Sequence, residues 1–112
     1  MNEAPDGSYP QLQTHNQRED PARSCFCSGL LDEAATLFLN GEPEVARIIL
    51  GDLVNATLGF EALARETEKP NKSLHRMLSA HGNPSMDNLA AIFGAMRSWL
   101  KVDIEVHAVP TN

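Results

Sequence analysis

From Cys25 onward, apolar residues recur mostly at helical spacing, and they alternate only near the end of the chain. Leu30, Leu31, Ala34, Ala35, Leu37 and Phe38 mark a first helix, which Asn40-Gly41 closes. A second helix is predicted from about Pro43 to Gly59, with proline in its first turn and Glu42 and Glu44 beside its positive end. Its expected buried stripe is Val45, Ile48, Ile49, Leu53 and Ala56. Three shorter helices follow. Phe60–Thr67 places Leu63 and Ala64 inward; Asn71–Ala80 buries Leu74, Met77 and Leu78, with Asn71 as N-cap. Gly82-Asn83-Pro84 breaks the chain, and Ser85 caps a helix that buries Leu89, Ile92, Phe93, Met96 and Leu100. Met77, Met86 and Met96 read as core packing. Val102, Ile104, Val106 and Ala108 then alternate with Asp103, Glu105 and His107, which predicts a strand.

The fold class expected is therefore all-α, a five-helix bundle with one short C-terminal β-strand. Residues 1–24 hold three prolines and almost no periodic apolar position, so disorder is expected there. The remaining divisions are 25–57 for a helical pair, 58–101 for a second helical unit, and 102–112 for the strand and tail. The hydrophobic fraction of 42% fills one core, and aromatics at 5% leave it to Leu, Ile, Val, Ala and Met. No apolar run reaches the roughly 18 residues of a membrane span, and no secretory signal is visible. A cytoplasmic protein with no membrane contact is expected. Cys25 and Cys27 are one residue apart, a spacing awkward for a disulfide and too few ligands for zinc, so both are expected as reduced thiols. No metal or cofactor is expected.

Net charge is −6, yet it is unevenly placed. Residues 1–57 hold nine acids and three bases, whereas residues 58–101 hold six bases and four acids. The basic members are Arg65, Lys69, Lys72, Arg76, Arg97 and Lys101. Distribution matters more than the sum for a nucleic-acid partner.

The stretch 60–93 carries the functional signal. Ala64 is small enough for a second helix to cross closely, and Leu63 with Leu74 and Met77 or Leu78 anchors the two helices across a short turn. With those residues inward, the second helix turns Asn71, Lys72, Ser73, His75 and Arg76 outward. Amide and guanidinium groups near the start of such a helix are the types that read base edges, and helix N-termini attract phosphate. Arg65 has a plainer role available, pairing with Glu61 one turn earlier. His75 and His81 read as exposed polar residues rather than ligands.

Leu63-Ala64-Arg65-Glu66-Thr67, Ser73-Leu74-His75-Arg76-Met77-Leu78, Gly82-Asn83-Pro84-Ser85 and Leu89 together resemble the helix-turn-helix of the Xre/Cro family. The resemblance covers about 45 residues and is closer still to HigA-like antitoxins, the addiction-module antidotes. It implies a lambda-repressor-like fold with Asn71, Lys72, Ser73, His75 and Arg76 on the recognition helix. It further implies a homodimer on a double-stranded DNA operator and, for antidotes, a RelE/HigB-like toxin as partner. One departure is local: the family usually has glycine, an apolar residue and a small polar cap in the turn, where this chain has Glu68, Lys69 and Pro70. Glutamate in a left-handed turn position costs on the order of 1 kcal/mol relative to glycine.

The expected function is sequence-specific transcriptional regulation, as the antitoxin of a type II toxin-antitoxin module or as a stand-alone Xre-type regulator. A helical protein-interaction module that does not touch DNA is the other class, and the acidic total favours it slightly. No phosphate loop, HExxH or nucleophile elbow points to an enzyme. The predicted strand at 102–108 needs a partner. Candidates are the same strand of a second copy, which is the first choice, an extended segment around Arg23–Cys27, or an edge of a toxin.

Overall fold

The computed structural model describes residues 21–111, with side chains from Phe26 onward. Among these residues five helices follow one another: α1 (Pro21–Leu39), α2 (Pro43–Ala56), α3 (Gly59–Thr67), α4 (Asn71–Met77) and α5 (Met86–Leu100). The disorder expected over 1–24 lies outside the described residues up to position 20. Its last four positions, 21–24, belong to α1. The side chain of Cys25 is likewise outside the description, and Cys27 is a buried free thiol.

Local chemistry sets most helix ends. Gly41, at φ 85, lets the Glu42 amide turn back to the Leu37 carbonyl at 2.8 Å, which ends α1. Pro43 opens α2, and its missing N–H removes no helical bond there. The second helix stops at Ala56 rather than Gly59. The Thr57 hydroxyl takes the Leu53 carbonyl at 2.7 Å, and Gly59 at φ 84 already starts α3. Ser85 caps α5 as expected, its Oγ accepting the Asn88 amide at 3.1 Å.

All five helices line one core. Cys27, Leu31 and Ala34 come from α1; Leu50, Leu53 and Val54 from α2; Phe60 and Leu63 from α3; Leu74 from α4; and Leu89, Ile92, Met96 and Leu100 from α5. Phe38 meets Phe93 edge to face at 5.9 Å, joining α1 to α5. Among the described residues no polar or charged side chain is buried.

The buried stripe of α2 differs from the expected one by about one residue of rotation. Ala46, Leu50, Gly51, Leu53 and Val54 are inside, while Val45 and Ile48 are 47% and 46% exposed. The sequence offers two overlapping apolar stripes, and the small residues Ala46 and Gly51 allow neighbours to approach on the side that is buried. A Cβ on Gly51 would lie 3.5 Å from the Leu78 carbonyl oxygen. Met86, expected in the core, is also outside, 69% exposed in the first turn of α5.

The C-terminal strand is not formed: residues 102–111 carry no regular secondary structure, and no strand occurs among the described residues. The alternation is nevertheless expressed as burial. Val102 and Ile104 pack against the core, and Asp103 and Glu105 face solvent. A strand is defined by a ladder, and the described residues supply no second strand. The rival segment Arg23–Cys27 is not extended but helical, within α1. Arg97 pins the start of this tail by donating to Asp103 Oδ1 at 2.8 Å.

Candidate functional site

Phe60 and Leu63 bury one side of α3, and Ala64 packs at the edge of the core. The helix ends at Glu68, which takes the left-handed conformation (φ 57, ψ 41) and donates its amide to the Ala64 carbonyl. Lys69 donates to the same oxygen at 3.2 Å. Pro70, at φ −64 and ψ 141, then sets the entry to α4 as its N-cap, and its carbonyl accepts the Leu74 amide at 3.1 Å. Asn71 is therefore the first residue inside α4 and not its cap, a correction to the sequence reading; the fixed φ of proline places the boundary one residue earlier.

Leu74 is fully buried and fixes the rotation of α4. At 3.6 residues per turn, Lys72 and Arg76 then point directly outward, His75 and Ser73 lie on the two flanks, and Asn71, three residues before Leu74, lies toward the Leu74 side. Lys72, His75 and Arg76 are exposed, and Asn71 and Ser73 are half-buried. All five residues singled out in the sequence lie on one short helix, but Asn71 is not on its outward side, a correction to the sequence reading. Met77 is partly buried and Leu78 buried, as expected, but the helix ends at Met77 rather than Ala80. The Ser79 amide and hydroxyl both close back on the Arg76 carbonyl, at 3.2 and 2.8 Å.

His75 has a contact that the sequence did not show. Its ring lies parallel to that of Phe60, with centroids 3.9 Å apart and planes at 20°. The stack ties α4 to α3 and covers one face of the imidazole, so His75 is a strut as well as a surface group.

Lys72 and Arg76 are cations one turn apart, an arrangement that destabilises an isolated helix by about 0.2–0.5 kcal/mol. Among the described residues, neither side chain makes a hydrogen bond or ion pair. From Lys69 to Met86 the chain contains no Asp or Glu, although it has 15 of them in all. That acid-free run spans the whole of α4 and the corner after it, and was legible in the sequence as a charge pattern. Side chains able to donate several hydrogen bonds to an anion or a base edge are thus offered on a helix that carries no carboxylate of its own.

The corner is sterically specified. A Cβ on Gly82 would press into the carbonyl oxygens of Arg76 and Met77, so only glycine lets the chain return so closely under the end of α4. From α2, Arg47 reaches the same region and donates to the carbonyls of Ser79 and Ala80. Comparison with known proteins gives no match for this chain to a family model, to a curated protein or to a solved structure.

Proposed function

We propose that this chain is a sequence-specific DNA-binding transcriptional regulator in which α3, the Glu68–Pro70 turn and α4 act as a lambda-repressor-like helix-turn-helix. The observation that carries this reading is the outward surface of α4. It holds Lys72 and Arg76 one turn apart, flanked by His75 and Ser73 and with Asn71 at the start of the helix, in a run of chain without acids. Repelling cations are retained on a helix where they attract a polyanion. Guanidinium and amide groups there match the edges of guanine and adenine. Fluorescence anisotropy on a duplex spanning the gene's own promoter, beside a random-sequence duplex, tests the reading. The promoter duplex is expected to bind more tightly, with affinity falling steeply as salt rises. Arg76→Ala is expected to cost about 1–3 kcal/mol on the promoter alone if the guanidinium reads a base. Unchanged affinity in Lys72→Ala/Arg76→Ala removes α4 as the reader. Binding to neither duplex favours the protein-interaction module.

The reading extends to an antitoxin that represses its own operon and neutralises a RelE/HigB-like toxin. Its support is the opposite charge of the first two helices and the turn between them, where Asp32, Glu33, Glu42, Glu44 and Asp52 are all exposed. Such a surface suits a basic protein that handles RNA. Co-expression with the adjacent gene product tests this part: Asp32→Lys/Glu33→Lys/Glu44→Lys should abolish neutralisation, and full neutralisation by that variant refutes it.

A homodimer formed through residues 102–108 completes the proposal. Val106 and Val109 are exposed on this tail, whose backbone has no ladder partner among the described residues. Sedimentation should give a dimer for the intact chain and a monomer for Val106→Asp. A dimer in both would place the interface elsewhere.

A further inference from the structure

We propose that Arg47, a residue of α2, is the positioning residue that seats α4 and thereby sets how tightly the protein holds its DNA; this rests on the reading of α4 as the DNA-facing helix. The guanidinium donates from Nε to the Ser79 carbonyl at 3.0 Å and from Nη2 to the Ala80 carbonyl at 2.8 Å. One planar fork thus holds two successive carbonyls just past the end of α4, 32 and 33 residues away along the chain. A charged donor makes such bonds stronger than neutral ones, and the rigid fork fixes the direction of both.

The attachment matters because α4 has little else. It is seven residues long, and its only extensive contact with another helix is with α3. Its tie to α2 runs through the turn that follows it. Arg47 and Gly51 lie one helical turn apart, so both face that turn. Arg47 grips the carbonyls of Ser79 and Ala80, while Gly51 lies against Leu78, whose Cβ is 3.6 Å from where a Cβ on Gly51 would stand, an ordinary packing distance. Opening the fork leaves α4 anchored by Leu74, Leu78 and the Phe60–His75 stack, but free to tilt relative to α2. Apparent affinity scales with the fraction of molecules in the binding-competent arrangement. Attraction of Lys72 and Arg76 to any phosphate backbone tolerates a tilt that base reading does not.

The test uses the full chain carrying Arg47→Lys, which keeps the charge but loses the fork, with Arg47→Gln as a second variant. Each is titrated on the promoter duplex and on the random-sequence duplex over a salt series. Circular dichroism establishes that the variants are folded at the assay temperature, and amide exchange is followed at Leu78 and Ser79. If the seated fraction falls to roughly a tenth, Arg47→Lys binds the promoter duplex about tenfold more weakly. Affinity for the random duplex and the salt slope should stay unchanged, and the two amides should exchange faster. Undiminished promoter affinity in a folded Arg47→Lys protein overturns the proposal. An equal loss for Arg47→Gln on both duplexes, with a salt slope shallower by about one, also overturns it by making Arg47 a phosphate contact. If the unaltered chain binds neither duplex, the reading of α4 fails and the link to affinity fails with it. Amide exchange then reports separately whether Arg47 seats the helix.

Discussion

Replacing Glu68 by glycine should stabilise this protein by about 0.5–1 kcal/mol, the difference of two opposing backbone terms. Glu68 holds φ 57 and ψ 41, where the Cβ of an L-residue crowds the following carbonyl. That crowding costs roughly 1–2 kcal/mol, and glycine removes it. Against this, glycine gains freedom in the unfolded chain worth about 0.5–1 kcal/mol. The bonds that close α3, from the amides of Glu68 and Lys69 to the Ala64 carbonyl, involve no side chain of Glu68 and survive the change. For a folded body of this size, such a gain raises Tm by about 2–8 °C. Thermal melting and urea titration with an unchanged m-value measure it. Glu68→Ala is the control: it removes the carboxylate but keeps the Cβ, so it should give no gain. Equal gains in both variants would attribute the effect to charge, and a loss in Glu68→Gly would refute the left-handed turn.

The rotated stripe of α2 predicts that Ile48→Ala stays within about 0.5 kcal/mol of the parent. Leu50→Ala should lose about 2–5 kcal/mol in the same urea titration. Comparable losses at the two sites would contradict the observed register. Gly82→Ala should cost about 1–3 kcal/mol, because backbone carbonyls rather than flexible side chains block the new methyl. A neutral result would show that the corner can open without penalty. His75→Ala should lower stability by about 0.5–1.5 kcal/mol through loss of the Phe60 stack; denaturant midpoints of His75→Ala, Phe60→Leu and the double variant would show coupling, and strict additivity would deny it.

Much of this architecture was legible because helix ends are written in local chemistry. Asn40-Gly41, Pro43 and Ser85 each act within a few residues of where they stand, and all three boundaries fall there. The exposure of Lys72, His75 and Arg76 on α4 was legible for a similar reason, since placing Leu74 inward fixes every other residue of a short helix; the same rule puts Asn71 on the Leu74 side. The register of α2 was not, because Val45-Ile48-Ile49 and Ala46-Leu50-Val54 are both apolar. The choice between them is made by packing against α1 and Leu78, which the local pattern of α2 does not encode. The tail misled in another way. Alternation reports that one side of an extended segment is covered, and Val102 and Ile104 are covered by helices rather than by a sheet.

What sequence could not supply was the support behind the candidate site, and the reason lies in the length of α4. A seven-residue helix is far below the roughly 12–15 residues at which isolated helices become even marginal in water. It therefore exists only because α3, α2 and the Gly82 corner hold it. The residues proposed to meet DNA announce themselves by charge and spacing on one stretch of chain. The residues that support their geometry, Arg47 and Phe60, are ordinary members of other helices until the chain folds. A substitution at those two positions should therefore alter the proposed activity without touching any group that contacts the duplex. A survey confined to the outward side of α4 would miss that support.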